Sequence, residues 1–302
     1  MLNNVRLLKE KNKMIEVKDT LNLISIFYDI LQKYSENELE NYSDEISKEF
    51  VTVLTSKNLG NYLTINLFEK FYTDFDFRLI DKDLQKKMFF LLKNIKKIWL
   101  RISFDLLNVS YKIHLDGGGT THALLISKYL LDRFPGRKFN QALDWCAGPG
   151  FLGFALLDQK ISENVCFLEI NNECIDCINR TVIENNLDQS AYAYLSDNLD
   201  QLPQSEKFDL VVGNPPWFCG KKNIINPLIS FDKNWELHRR FYSEIKKHLM
   251  PGAIVCLTCY KPFETLPKSS NGFVWDERVT PPIDDYIHMI EEGGLEFKEL
   301  IH

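Results

Sequence analysis

Residues 143–153 read LDWCAGPGFLG, an apolar run that breaks into small residues and resumes as Phe-Leu-Gly. Ala142, Leu143 and Trp145 make a run of strand length, after which Ala147, Gly148 and Gly150 let a backbone come close to a bound molecule. Gly153 allows the next helix to lie tightly on the strand it has just left. No lysine follows the glycines, so the turn is not that of a nucleoside-triphosphate loop. Strand, glycine turn and helix in that order form the first unit of an α/β fold.

The chain repeats this alternation. Runs of strand length are ALDWC (142–146), VCFLEI (165–170), AYAYL (191–195), FDLVV (208–212) and AIVCL (253–257), with helical patterns near 151–158, 172–186, 235–249 and 284–292. Right-handed crossovers then predict a mainly parallel sheet with helices on both faces. Ligands bind such sheets at the carboxyl ends of the strands, so site residues should directly follow strands. Glu169 ends the second run, about 20 residues past the glycine turn, where an acid accepts ribose hydroxyls. Asp197 follows the third run in LSDN, and GNPPWF (213–218) follows the fourth. Pro215 and Pro216 lack the N–H donor and force the chain out of the sheet. Singly, these are a strand end, an Asx turn and an Asn-Pro turn; their order along four strands is more specific.

Glycine turn, acid, acid and Asn-Pro-Pro-aromatic resemble class I S-adenosylmethionine-dependent methyltransferases, over roughly residues 110–300. Within that class the chain resembles the protein-glutamine N5-methyltransferases that modify peptide release factors and a ribosomal protein. DWCAGPGFLG is similar to their motif after strand one, RTVIENNL (180–187) to their NAxxNGL-like helix end, and NPPW to their NPPY. The resemblance implies a Rossmann-like sheet and S-adenosylmethionine as cofactor. It implies that Asp144 orients the turn and the methionine amino group, while Ala147, Gly148 and Gly150 border the methionine. Glu169, followed by Ile170, would hold the ribose, and Asp197 with Asn198 the adenine. Thr120 and Thr121 are cofactor-side candidates in HLDGGGTTHA (114–123), which replaces the family's Arg-Pro loop.

The resemblance also assigns Asn214, Pro215, Pro216 and Trp217 to catalysis, with Asn214 bordering the cofactor as well. The Asn214 oxygen and the Pro215 carbonyl would each accept one N–H of a substrate NH₂, and Trp217, where tyrosine is usual, would form a wall. The expected reaction is methyl transfer to an amide or amino nitrogen of a peptide or small molecule. Two alternatives stand beside it: N-methylation of a nucleic-acid base, and transfer or cyclisation of the cofactor's aminobutyrate chain.

The chain has 302 residues, 45% hydrophobic and 26% charged, as in a soluble globular protein. Leu84, Met88, Leu91, Ile95 and Ile98 form one helical stripe, predicting a helix from Asp81 to about Asn108 and a helical domain over 1–110 ahead of the methyltransferase domain at 111–302. Residues 1–110 carry 17 Lys/Arg against 16 Asp/Glu, leaving 19 against 26 for the remainder. That acidic surplus argues against nucleic acid as the partner. Absence of a signal-peptide pattern and of any long apolar run predicts a cytoplasmic protein without membrane contact. The pairs Cys174/Cys177 and Cys256/Cys259 have zinc-like spacing but fall on a helix and a strand, so buried thiols and no metal are expected. His238 and His248 are expected on a helix surface. NGFVWDERV (271–279) is the candidate for a last edge strand.

Overall fold

The computed structural model describes Lys33 and residues 99–112, 115–116, 119–217, 231–259 and 283–300. The chain divides into two compact units, Met1–Leu100 with Lys112–Asp116, and Arg101–Tyr111 with Gly117–His302. The helical stripe at 84–98, and nearly all of the proposed helical domain, lie outside the described residues, as do Gly117 and residues 271–279.

The expected helix does not extend through Asn108: β1 (Trp99–Ser103) and β2 (Asn108–Lys112) form a two-stranded ribbon there. Both carry β-branched and aromatic residues that suit a strand, and long-range polar groups decide between the two periods. The Asn108 backbone N–H donates to Asn185 Oδ1 at 3.0 Å, and Asn185 Nδ2 donates back to the Asn108 carbonyl at 2.8 Å. The Ser110 N–H donates to Thr181 Oγ1 at 2.9 Å, and the Ser110 hydroxyl to Glu184 at 2.6 Å. At the ribbon's turn, the N–H groups of Asp105, Leu106 and Leu107 all donate to the buried carboxylate of Asp158.

Next come α1 (Gly119–Arg133), β3 (Phe139–Trp145), α2 (Phe151–Asp158), β4 (Ser162–Glu169), α3 (Asn172–Glu184), β5 (Ala191–Leu195) and β6 (Phe208–Gly213). After residues 218–230 the chain resumes with α4 (Glu236–Ile245), β7 (Leu249–Leu257) and α5 (Ile283–Glu292). Among the described residues, α1 is an α-helix that the sequence pattern did not predict. Strand order is β5-β4-β3-β6-β7, with every pair parallel. The chain enters at the centre, winds outward to β5, and returns to the other side of β3. This is a Rossmann-like, doubly wound parallel sheet, and its switch point lies between β3 and β6.

The central strand is buried on both faces. Ala142, Val165 and Val212 join α1, α2 and α3 in one core, whereas Leu143, Trp145 and Val211 join α4 and α5 in the other. At Gly153 a Cβ would fall 2.3 Å from the Phe167 ring, so only glycine lets α2 lie this close to β4.

Candidate functional site

Register brings the strand ends level. Trp145 pairs with Leu168 on β4 and Gly213 on β6, Glu169 with Leu195 on β5, and Gly213 with Leu257 on β7. The residues that follow, 146–150, 170–171, 196–198, 214–217 and 258, therefore share the carboxyl edge around the switch point.

Asp144 is 1% exposed. Its Oδ2 accepts the Gly153 N–H at 2.8 Å, while Oδ1 is buried with no partner among the described residues. Burial pushes this carboxyl well above the ordinary aspartate range; the Gly153 bond opposes that shift and nearby Glu169 adds to it. Past Trp145, Cys146, Gly148 and Gly150 all have positive φ, at 55°, 54° and 87°. A Cβ on Gly150 would also meet the Phe154 ring at 2.8 Å. Ala147, buried, ties this turn to β4 by donating its N–H to the Leu168 carbonyl at 3.0 Å. Desolvation and the acids Glu169 and Asp144 hold the Cys146 thiol far above its ordinary range, so it is protonated and inert as a nucleophile.

Glu169 bridges two strand ends. Its Oε2 accepts the Gly148 N–H at 2.6 Å and its Oε1 the Asn171 N–H at 2.8 Å. Burial raises its carboxyl above the ordinary range, against the pull of these backbone donors. Beside it Ile170 and Leu195 are about half exposed, at 48% and 50%, and present apolar surface at adjoining strand ends. Asp197 accepts from Arg240 at 3.3 Å, and Arg240 also grips Asp200 with both carboxylate oxygens within 3.0 Å. Asn198 stands at the same strand end with its side chain engaged inside the protein. Its Oδ1 accepts the Trp145 indole N–H at 3.0 Å and its Nδ2 donates to the Leu237 carbonyl at 3.1 Å, so this buried amide braces the protein interior. Thr120 and Thr121 lie in the first turn of α1; their side chains are outside the described residues, and neighbouring Gly119 abuts Phe151.

Asn214 leaves β6 with its Oδ1 accepting the Thr258 hydroxyl at 2.5 Å. Pro215 and Pro216 are buried. Trp217 is only 8% exposed and sits among Trp235, His238 and Tyr286, with ring centroids 5.5, 4.8 and 5.4 Å away. Its indole N–H has no partner among the described residues. His238 is fully buried, not a surface residue, and His248 is buried too. Asp232, 3% exposed, accepts His238 Nδ1–H at 2.7 Å along with the Leu237 and His238 backbone N–H groups. Desolvation lowers the imidazole pKa against the opposing pull of Asp232, so the ring is neutral, and its buried Nε2 has no donor among the described residues.

Thr258, Asp232, His238 and Arg240 were not legible as site neighbours. Thr258 follows the fifth run but stands in no motif, Asp232 lies in a stretch without one, and an Asp six residues before a His is a common spacing. Cys174 and Cys177 are buried on α3, Cys256 is half-buried in β7, and Cys259 is exposed. No group of three or more metal-ligating side chains occurs among the described residues.

Residues 125–234 match the family model of the methyltransferase small domain. The match covers β3 to β6 and hence the glycine turn, Glu169, Asp197 and Asn214. A release factor glutamine methyltransferase of Clostridium botulinum is 22% identical over 172 residues, covering 56% of this chain and 50% of the relative. A ribosomal RNA small subunit methyltransferase C of Actinobacillus pleuropneumoniae is 32% identical over 131 residues, covering 41% and 37%. Among solved structures, the T. thermophilus 16S rRNA N2 G1207 methyltransferase, in complex with S-adenosylmethionine and guanosine, is 21% identical with a TM-score of 0.45, covering 66% of this chain and 46% of that one. The chain thus spans half or less of the length of these relatives.

The matched family uses S-adenosylmethionine, and the residues present fit it. Asp144 Oδ1 is a buried acceptor with no donor among the described residues, which an ammonium group would satisfy. The left-handed glycines keep side chains out of the turn, and Ile170 with Leu195 offers apolar surface to a flat ring.

Proposed function

We propose that this protein is an S-adenosylmethionine-dependent methyltransferase acting on an amide or amino nitrogen of a peptide or small molecule. The observation that carries the proposal is the Asn214-Pro215-Pro216-Trp217 turn at the carboxyl end of β6, beside the switch point, level with Glu169 and two residues beyond the level of Asp144. When bound, the cofactor supplies an electrophilic methyl group on a sulfonium centre. Asp144 and the turn at 146–150 would hold its methionine end, Glu169 its ribose, and Ile170, Leu195 and Asp197 its adenine.

Asn214 Oδ1 and the Pro215 carbonyl would accept the two N–H groups of a substrate NH₂ and so orient the nitrogen lone pair. A carbonyl oxygen has two lone pairs, of which the Thr258 hydroxyl takes one at Asn214. Alignment of this kind is the main rate gain available to a site without a strong base. Trp217, buried against Trp235, His238 and Tyr286, would act less as a stacking face than as a post that fixes the turn. Pro216 would stiffen the link between post and nucleophile holder.

Similarity to both glutamine and ribosomal RNA methyltransferases keeps base N-methylation as the second reading. The test is incubation with methyl-labelled S-adenosylmethionine and a panel of glutamine-containing peptides, primary amines and ribosomal RNA, with mass analysis of cofactor product and acceptor. Methylated peptide or amine, lost in Asn214→Ala, is expected. Methylated RNA would shift the assignment to a base. Methylthioadenosine in place of S-adenosylhomocysteine would overturn methyl transfer.

A further inference from the structure

The neighbouring strands β6 and β7 end at the pair Gly213↔Leu257, and the next residue on each makes a second link. The Thr258 backbone N–H donates to the Gly213 carbonyl at 3.0 Å, and its hydroxyl donates to Asn214 Oδ1 at 2.5 Å. On the other side of Gly213, a Cβ would fall 2.6 Å from the Trp145 carbonyl oxygen, so the strand end has no slack toward β3. Pro215 restricts the backbone of the residue before it to extended conformations. The Asn214 side chain ends in a torsion that is intrinsically broad, and its amide has chemically different ends. Thr258 is β-branched and stiff at χ1, and its backbone is pinned to Gly213, so the direction of its hydroxyl is set by the sheet.

We propose that Thr258 is a positioning residue, which acts through Asn214 by fixing the plane of its amide and selecting which end is oxygen. This rests on the role given to Asn214 under the proposed function. A hydroxyl at 258, donating to Oδ1, presents this end of the amide as the oxygen before any substrate arrives. Its loss should therefore slow turnover without weakening the grip on the cofactor, which belongs to the other strand ends.

The test compares Thr258→Val, which keeps shape and removes the donor, with Thr258→Ser, which keeps the donor, and with Asn214→Ala. The first readout needs no substrate: the Asn214 side-chain NH₂ resonances in ¹⁵N-labelled protein, identified by their absence in Asn214→Ala. The second is the single-turnover rate on whichever acceptor of the panel above is methylated, alongside S-adenosylmethionine affinity by calorimetry. In Thr258→Val the resonance pair should shift, because the donor to Oδ1 is gone. The rate should fall by about tenfold or more, as for other small misalignments, with affinity within about twofold and both properties restored in Thr258→Ser. Unchanged resonances and rate in Thr258→Val, with the rate lost in Asn214→Ala, would overturn the role of Thr258 and leave the proposed function standing. A full rate in Asn214→Ala would overturn both.

Discussion

Removing the Glu169 carboxylate tests the cofactor site and the turn together. In Glu169→Ala the Gly148 and Asn171 N–H groups lose their acceptors at 2.6 and 2.8 Å, and Gly148 lies in a turn of three left-handed residues that this carboxylate helps to pin. A hydrogen bond to a charged group contributes about 1.5–3 kcal/mol net. Two such bonds sharing one carboxylate are not additive, so a stability loss of about 2–4 kcal/mol is expected without cofactor. The ribose contacts assigned to the same side chain are worth about 1.5–3 kcal/mol more, a rise in cofactor Kd of roughly 10- to 150-fold. Thermal unfolding without cofactor reads the first effect, and titration calorimetry well below the melting temperature reads the second. An unchanged Kd would remove Glu169 from the ribose role, even if the protein had become less stable. An unchanged melting temperature would refute the reasoning about the turn.

Asn214→Asp keeps an acceptor where alanine has none, so its single-turnover rate should exceed that of Asn214→Ala, which should lie roughly 10²-fold below wild type; equal rates would refute the acceptor role. Asp232→Ala strips three hydrogen bonds and leaves the buried His238 Nδ1–H unpaired, which should cost about 3 kcal/mol in denaturant unfolding; a loss below about 1 kcal/mol would contradict the buried pairing. The Ser110 hydroxyl, with Arg180 and Arg101, holds the Glu184 carboxyl down to about 2 from an ordinary 4.5, so its stabilisation is complete above about pH 4.5 and is lost as pH falls toward 2. Glu184→Gln should therefore flatten that acid-side slope in unfolding titrations, and an unchanged slope would sink the assignment. Burial raises Asp144 and Glu169, so cofactor binding should release protons and tighten as pH rises through their shifted range; calorimetry in buffers of unequal ionisation enthalpy would refute this by showing uptake.

The sequence by itself determined the strand-turn-helix repeats, because glycine, proline and apolar runs act within a few residues and parallel strands need crossovers. It therefore placed Asp144, Glu169, Asp197 and Asn214 at strand ends, and the observed register brings those ends level. Tertiary structure decided which polar groups those residues meet. Trp99–Ser103 and Asn108–Lys112 became strands where a helical stripe was expected, and Thr181, Glu184 and Asn185, more than 70 positions away, supply partners for the β2 backbone and side chains. α1 escaped notice because a cluster of glycines precedes it and Leu124, Leu125 and Leu131 are exposed, which blurs the amphipathic pattern. Asn198 turned inward to Trp145, and His238 was buried beside Asp232 and Trp217, because packing of α4 on the sheet joins residues with no shared local pattern. Thr258 has no signal in LTCY, and its hold on Asn214 arises only from β7 lying next to β6 in register.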